Sequence, residues 1–130
     1  MFKITFPGNK KVDAEFNGFT IKTDQPVNQG GDGSAPTPFE TFLASLGTCA
    51  GIYVLGFCQS RGLNPEGIEI VERTEYDPVQ RKIGKILLEI QVPPSFPVQY
   101  HSALVNSANL CAVKKLIENP PEFDTYTVVK

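Results

Sequence analysis

The stretch from Phe42 to Cys58 contains no charged residue, and no other feature of the sequence constrains the fold as strongly. A helix that is apolar on every face is buried on every face, either in a protein core or in a membrane. The stretch is barely long enough to cross a bilayer, and half-polar strands flank it, so the core of a globular protein is the favoured interpretation. We therefore expect no membrane partner.

The residues around this stretch mark where a helix begins and ends. Thr37 is a suitable N-cap, Pro38 occupies the first helical position and Glu40 the third, so the three residues form a capping box. Gly62 follows Arg61 where the apolar pattern stops, which is typical of a helix C-terminus. The sequence predicts one long helix from Thr37 to about Arg61.

Two glycines, Gly47 and Gly51, lie one turn apart on one face of the predicted helix. Because they lack side chains, another backbone can approach the helix closely there. We expect a second buried helix at this face. Since one small domain supplies little cover for such a helix, we also expect an obligate dimer whose two central helices share the core.

Before the helix, apolar and polar residues alternate with a period of two, which is typical of half-buried strands. The pattern covers residues 2–6, 12–16 and 19–23. An Asn-Gly pair between the second and third segments tolerates positive φ and favours a tight hairpin turn. These residues predict a three-stranded meander, and the Gly- and Pro-rich residues 24–36 predict a long loop.

After the helix, residues 67–77 and 82–92 predict two long strands around a turn, and apolar residues at helical spacing lie between residues 100 and 117. Residues 123–129 are rich in β-formers and predict a closing strand. Strands and helices come in runs, so the predicted class is α+β in a single domain, residues 1–130. Four glutamates are expected on a solvated strand face: Glu66, Glu69, Glu72 and Glu75.

Composition excludes several classes of function. The net charge is −2, with 12 basic and 14 acidic residues spread along the chain, so nucleic acid is not an expected partner. Three cysteines are too few for a secreted disulfide scaffold, and the alternating N-terminus shows no signal peptide. We therefore expect a cytoplasmic protein with reduced thiols. The single histidine, His101, excludes multi-histidine metal sites.

The cysteines are the most informative side chains. Cys58 follows Cys49 by nine residues, about half a turn around the helix axis at ~100° per residue, so the two thiols point in opposite directions. Cys111 lies at the start of a further predicted helix. With His101, the three cysteines make four possible zinc ligands, but the spacing lacks the close cysteine pairs of zinc sites, so no metal is expected. For any single cysteine, a small buried apolar residue is the alternative interpretation.

Three segments resemble a known family. Residues 35–49, APTPFETFLASLGTC, resemble the central-helix motif of the OsmC/Ohr family, named for osmotically inducible protein C and organic hydroperoxide resistance protein. The family's second cysteine opens a motif similar to residues 110–115. The ending at residues 119–123, followed by a predicted strand, is also similar. The resemblance covers nearly the whole chain in the order of its elements.

This resemblance implies a fold, a reaction and a site. The implied fold is OsmC-like, with antiparallel sheets around a long buried central helix, in an intertwined homodimer whose two active sites are built by both chains. The implied reaction is reduction of organic hydroperoxides, in which Cys49 becomes a sulfenic acid and Cys111 condenses with it to a disulfide. A dithiol reductant, often a lipoylated protein, then restores both thiols. No cofactor is implied.

The sequence departs from the family's peroxidase pattern at two positions, so it resembles the less characterised OsmC-like branch. The peroxidases stabilise the thiolate with an arginine near the N-terminal strands, but this chain has no arginine before Arg61. They also place a carboxylate directly after the helix-opening proline, where this chain has Phe39. Lys22, Arg61 and Arg81 are the possible sources of an activating charge. Two other functions stay open: non-catalytic binding of a small apolar or electrophilic ligand at the dimer cleft, and redox sensing through the same disulfide.

Overall fold

Three strands, a long helix, two strands and two short helices follow one another in a computed structural model that describes all residues from Met1 to Lys130. The predicted α+β class is confirmed. The chain separates into two compact units, residues 1–45 and 46–130. The elements are β1 (Lys3–Gly8), β2 (Lys11–Phe16), β3 (Phe19–Thr23), α1 (Pro38–Ser60), β4 (Glu69–Asp77), β5 (Lys82–Gln91), α2 (His101–Ala108) and α3 (Ala112–Glu118), with short 3₁₀ turns at Val27–Gln29 and Val98–Tyr100.

The predicted three-stranded meander forms the sheet of the first unit, with β2 between β1 and β3. Ile4 lies opposite Ala14, which lies opposite Ile21. Because side chains alternate along a strand, these residues share one face of the sheet with Phe2 and Phe19. This apolar face is open in the single chain: Phe2, Ile4 and Phe19 are 60%, 53% and 67% exposed.

A buried carboxylate organises the loop between β3 and α1. Asp24 accepts hydrogen bonds from the N–H of Gln25 at 2.8 Å and from the N–H and hydroxyl of Ser34 at 3.0 and 2.6 Å. The Ser34 hydroxyl, together with these N–H groups, lowers the pKa of Asp24 to about 2. Gly31 packs so closely on Gln25 that an added Cβ would lie 1.9 Å from its carbonyl oxygen. The loop therefore requires glycine at that position.

The predicted capping box starts α1. The N–H of Thr37 donates to Glu40 Oε2 at 2.8 Å, and the N–H of Glu40 donates to Thr37 Oγ1 at 3.2 Å. The helix ends at Ser60, and Gly62 adopts the left-handed conformation with φ +66°. Both ends agree with the sequence prediction, because the capping residues and the terminal glycine act locally.

The core of the second unit forms between α1, the β4–β5 pair and α2. β4 and β5 are antiparallel, with Ile70 opposite Ile90 and Glu72 opposite Leu88. Partly buried side chains of both strands pack on a central cluster, and Phe96 joins it from the segment after β5. The cluster consists of Ala50, Val54, Phe57, Cys58, Phe96, Leu104 and Ala108.

In the single chain, α1 is buried along one stripe rather than on every face. The buried side chains recur at helical spacing, whereas Ile52 between them is 61% exposed. A chain of this size covers only part of a helix of 23 residues. By length and composition α1 could also cross a membrane, but the core helix of a soluble protein can have the same length and composition. The stripe consists of Leu46, Ala50, Val54, Phe57 and Cys58.

The glycine face of α1 packs on strand β4, so the expected second helix at this face is wrong. A Cβ at Gly51 would lie 3.9 Å from Ile70 Cδ1, and a Cβ at Gly47 would lie 2.9 Å from Glu72 Oε2. The glycines indicated a close approach correctly. They carry no information on the kind of element that approaches, because a strand and a helix both profit from a missing side chain.

Residues 120–130 adopt no regular secondary structure, so the predicted strand over residues 123–129 is wrong for this chain. Phe123 and Tyr126 are exposed instead. β-formers favour a half-buried position beside another strand. The two sheets of the chain contain β1 to β5 only, and this segment pairs with none of them.

Candidate functional site

The structure brings together Cys49 and Cys111, the two cysteines that the family resemblance implies as the reacting pair. Cys49 lies in the middle of α1 and is partly exposed, whereas Cys111 directly precedes α3 and is buried. Both are free thiols. The two thiols interact: the Cys111 thiol lowers the pKa of Cys49, and Cys49 in turn raises the pKa of Cys111.

The turn between α2 and α3 fixes the position of Cys111. Its N–H donates to the carbonyl of Ala108 at 3.3 Å, and its Sγ accepts a hydrogen bond from the N–H of Lys114 at 3.4 Å, so that Cys111 caps α3. The hydroxyl of Ser107 donates to the carbonyl of Tyr53 at 3.1 Å. This last bond ties α2 to α1 about one turn beyond the helix thiol.

Backbone N–H groups at the start of α3 stabilise the thiolate of Cys49. The N–H of Val113 contributes most, the thiol of Cys111 is next and the N–H of Ala112 adds to them, so the pKa of Cys49 lies below its ordinary value although partial burial opposes the change. Burial, together with the hydrogen bond to Cys49, raises the pKa of Cys111. Because the thiolate is the reactive form, this arrangement favours Cys49 as the nucleophile and keeps Cys111 protonated.

Cys58 lies on the opposite side of α1, as its nine-residue spacing predicts. It is fully buried in the core cluster, and burial raises the pKa of its thiol. A buried neutral thiol in apolar surroundings is inert. No group of three or more His, Cys, Asp or Glu side chains lies close enough together to hold a metal ion.

The groups that lower the pKa of Cys49 are two backbone N–H groups and the Cys111 thiol, and none of them belongs to an arginine. Arg61 lies twelve residues from Cys49 at the end of α1, roughly 18 Å along the helix axis, and its guanidinium lies 3.8 Å from the centroid of the Phe57 ring. Arg81 lies in the turn between β4 and β5. The sequence held one signal for the backbone donors: a helix predicted to start at Cys111 has first-turn N–H groups without intrahelical partners.

Glu72 lies beneath α1 and not on a solvated face, so its expected exposure is wrong. Its Oε2 contacts the backbone at Gly47, and its Oε1 is buried without a hydrogen-bond partner. Burial raises the pKa of Glu72, although a hydrogen bond from the N–H of Gly47 opposes the rise. Its position opposite Leu88 places it on the apolar side of the strand pair. The other three glutamates are exposed as expected: Glu66, Glu69 and Glu75.

The chain belongs to the OsmC-like protein family, whose model matches residues 31–126. The matched range includes α1, both thiols of the pair and α3. The family resemblance carried by residues 35–49 is therefore confirmed. No curated protein sequence matches the chain.

Solved structures with related names have the same fold. The chain is similar to a Psychrobacter arcticus 273-4 protein described as an osmotic stress induced and detoxification response protein, with 23% identity, a TM-score of 0.70 and coverage of 88% of this chain and 85% of that one. It is similar to the organic hydroperoxide resistance protein OsmC of Legionella pneumophila, with 18% identity, a TM-score of 0.56 and coverage of 90% and 87%. It is also similar to an organic hydroperoxide resistance protein of Vibrio cholerae that holds captopril in one of its active sites, with 13% identity, a TM-score of 0.57 and coverage of 92% and 85%.

Proposed function

We propose that the chain is a thiol-dependent peroxidase that reduces organic hydroperoxides. The hydrogen bonding of the Cys49 sulfur carries the proposal, because the N–H of Val113 and the thiol of Cys111 both favour the thiolate. The names of two structural neighbours, organic hydroperoxide resistance proteins of Legionella pneumophila and Vibrio cholerae, support the same reaction. The missing N-terminal arginine is replaced, in this proposal, by backbone donors.

In the first step, the Cys49 thiolate attacks one peroxide oxygen of the hydroperoxide. A sulfur–oxygen bond forms, the oxygen–oxygen bond breaks and the departing alkoxide takes a proton to leave as the alcohol. Cys49 is oxidised to the sulfenic acid and the peroxide is reduced. A neutral thiol is a much weaker nucleophile, so the lowered pKa of Cys49 serves this step directly.

In the second step, the sulfur of Cys111 attacks the sulfenic sulfur of Cys49. The disulfide forms, and the hydroxyl leaves as water with the proton that Cys111 gives up. The interaction between the two thiols, which lowers the pKa of Cys49 and raises that of Cys111, supports this role. A dithiol reductant, such as a lipoylated protein, then reduces the disulfide by exchange and is itself oxidised to a disulfide.

The proposed setting is a homodimer in the cytoplasm. The apolar face of the β1–β3 sheet supports the dimer, because Phe2, Ile4 and Phe19 lie open in the single chain and a second copy would cover them. Three cysteines are too few for a secreted disulfide scaffold, which is consistent with a reducing compartment.

The test is the consumption of cumene hydroperoxide with dihydrolipoamide as the reductant. Cys49→Ser should abolish turnover, since no other thiol has a lowered pKa. Cys111→Ser should allow one turnover and then overoxidation of Cys49 to the sulfinic acid, which mass spectrometry detects. Cys58→Ala is the matched control and should keep full activity.

Three results contradict the proposal. One is unchanged turnover in Cys49→Ser. Another is a disulfide that links Cys58 to either of the other two cysteines after limited oxidation. The third is oxidation of Cys49 by hydroperoxide followed by no reduction with any dithiol, which would instead indicate a redox sensor that uses the same pair.

A further inference from the structure

A serine hydroxyl of α2 is hydrogen-bonded to the backbone of α1. The partly buried hydroxyl of Ser107 donates to the carbonyl of Tyr53 at 3.1 Å, across 54 positions of the sequence. In a regular helix a carbonyl accepts the N–H four residues later, and its second lone pair stays available to another donor. Tyr53 lies within α1, so the bond joins the two helices and leaves the backbone ladder of α1 intact.

The apolar contacts between α1 and α2 do not by themselves fix the position of one helix along the other. Leu104 and Ala108 of α2 are buried in the core cluster, together with Val54 of α1. Apolar burial is non-directional and depends mainly on the area removed from water. A hydrogen bond holds its two atoms within a narrow range of distance and angle. The bond from Ser107 therefore fixes the register of α2 along α1.

A tight turn carries this register from Ser107 to Cys111. The carbonyl of Ser107 accepts the N–H of Leu110 at 3.0 Å, and the carbonyl of Ala108 accepts the N–H of Cys111 at 3.3 Å. Each of these hydrogen bonds spans three residues, as in a 3₁₀ turn, which is tighter than a turn of α-helix. The turn between α2 and α3 therefore leaves the chain little freedom between the serine hydroxyl and the thiol.

On α1, the same hydrogen bond lies close to Cys49. Tyr53 follows Cys49 by four residues, so the two residues lie on one face of the helix, one turn apart. The groups that lower the pKa of Cys49 are the N–H groups of Ala112 and Val113 and the thiol of Cys111. All of these groups directly follow the turn between α2 and α3. A displacement of that turn along α1 would move them away from Cys49 together.

Thiol chemistry is sensitive to a displacement of this kind. A disulfide requires its two Cα atoms to lie within about 4.4–6.8 Å of each other. Misplacement of a reacting group by about 1 Å can slow a reaction about a hundredfold. A hydrogen bond that holds the turn on α1 therefore acts on both thiols although it touches neither sulfur.

We propose that Ser107 is a positioning residue for the thiol pair: its hydrogen bond to Tyr53 holds the turn between α2 and α3 in register with α1, so that Cys111 lies within reach of Cys49. The inference rests on the proposed function for the step that it serves, in which the Cys111 sulfur attacks the sulfenic sulfur, the disulfide forms and water leaves. It deepens that function, because it names a residue outside the pair that controls this step.

The test is the equilibrium of the reduced full-length protein with mixtures of reduced and oxidised glutathione. The protein disulfide forms as one oxidised glutathione is converted into two reduced ones, so the equilibrium gives the effective concentration of the two thiols without any hydroperoxide. Peptide mass spectrometry identifies the disulfide between Cys49 and Cys111. Ser107→Val should lower the effective concentration about threefold to tenfold, the factor that one hydrogen bond contributes.

Two further variants separate the hydroxyl from the shape of the side chain. Ser107→Thr has nearly the shape of Ser107→Val but keeps the hydroxyl, so it should retain the effective concentration of the wild type. Ser107→Ala loses the hydroxyl without adding bulk and should behave like Ser107→Val. Ser102→Val is the matched control, an exposed position on the same helix, and should leave the effective concentration unchanged.

The pH profile of Cys49 alkylation is a second measurement, and a merely structural role of Ser107 would not change it. In Ser107→Val and Ser107→Ala the pKa of Cys49 should rise, because the groups that lower it follow the turn. In Ser107→Thr the profile should match the wild type. A serine that only stabilised the fold would lower the midpoint of thermal unfolding in Ser107→Ala and leave both the profile and the effective concentration unchanged.

Several results overturn the proposal. The first is an effective concentration and an alkylation profile in Ser107→Ala that both match the wild type, whatever the thermal midpoint. The second is an equal loss in Ser107→Thr and Ser107→Val, which would assign the effect to shape and not to the hydroxyl. The third is an equal loss in Ser102→Val.

The glutathione equilibrium also separates this inference from the peroxidase. If the wild type formed the disulfide between Cys49 and Cys111 but consumed no hydroperoxide, the peroxidase would be contradicted and the role of Ser107 would stand. If the wild type consumed hydroperoxide and Ser107→Ala matched it in both thiol measurements, only the role of Ser107 would fail. A wild type that formed no such disulfide would contradict both.

Discussion

Among single residues, Cys49 has a pKa that donors of two kinds lower, backbone N–H groups and a neighbouring thiol. Cys111→Ala removes the thiol donor and should raise the pKa of Cys49 toward the ordinary value of 9.0. Ala112→Pro removes one N–H at the first position of α3, where proline is well tolerated. It should raise the pKa of Cys49 less, because the larger contribution from Val113 remains.

The pH dependence of alkylation by iodoacetamide at Cys49, followed by peptide mass spectrometry, measures how far each substitution raises the pKa of Cys49. A raised pKa leaves less thiolate at neutral pH, about tenfold less for each unit, so the rates at pH 7 should fall in both variants. At pH values above the ordinary thiol pKa, the alkylation rates of the wild type and both variants should converge, because Cys49 is then ionised in all three proteins. Cys58→Ala is the control and should leave the profile of Cys49 unchanged. An unchanged profile in Cys111→Ala would refute the assigned hydrogen bond.

Glu72 is a second residue whose pKa the fold changes, and here the fold disfavours the charged form. Its raised pKa means that folding favours the protonated acid, so the carboxylate costs stability at neutral pH and nothing well below the unfolded value of 4.5. Glu72→Gln should therefore stabilise the protein at pH 7, by about 1 kcal/mol for one orphaned buried oxygen. The gain should disappear at low pH.

Thermal unfolding at neutral and acidic pH tests this second prediction. Glu75→Gln, an exposed position on the same strand, is the matched control and should change the midpoint little at either pH. If Glu72→Gln destabilised the protein at pH 7, the carboxylate would have a partner in solution, and the assignment of an orphaned oxygen would fail.

At the scale of whole elements, the contact between α1 and β4 depends on glycines of α1, which have no side chain to keep the strand away. Gly51→Ala adds a Cβ that would lie 3.9 Å from Ile70 Cδ1, an ordinary contact, and alanine favours the helix by about 1 kcal/mol. Gly51→Leu needs room that the strand occupies, so it should cost about 1–3 kcal/mol. Urea unfolding measures both variants. If Gly51→Ala and Gly51→Leu were equally stable, open space and not β4 would lie at the glycine face of α1.

Local signals in the sequence were sufficient for some elements and not for others. The ends of α1 were predictable, because Thr37, Glu40 and Gly62 act on the backbone beside them. The strand over residues 123–129 was not, because a strand exists only beside a partner and the sequence of one segment does not supply it. Gly47 likewise predicted a close approach but not the strand that makes it.

The candidate site, too, could be predicted from the sequence only in part. Cys49 and Cys111 followed from the family resemblance, and the opposite direction of Cys58 followed from helix geometry. Two of the donors that favour the thiolate are the main-chain N–H groups of Ala112 and Val113. Every residue except proline carries this group, so no side chain marks these two donors in the sequence. The burial of Glu72 depends on the pairing of two distant segments, β4 and β5, which the sequence of one segment does not show.

For the molecule as a whole, the apolar face of the β1–β3 sheet determines the proposed assembly. Soluble monomers rarely expose a large contiguous apolar patch. Phe19 lies on this face and is 67% exposed, whereas its neighbour Thr20 points to the charged side, opposite Glu15. Burial of such a side chain by a second copy contributes about 1.5–3 kcal/mol, so the face favours a dimer strongly enough to measure.

Sedimentation velocity should therefore report a dimer at micromolar concentration. Phe19→Lys places a charge on the apolar face and should shift the protein toward the monomer. Thr20→Lys adds the same charge on the opposite face, where Glu15 can pair with it, and should leave the dimer intact. A wild type that sediments as a stable folded monomer would contradict the dimer. Equal dissociation of both variants would place the interface elsewhere, because only one of the two substitutions changes the apolar face.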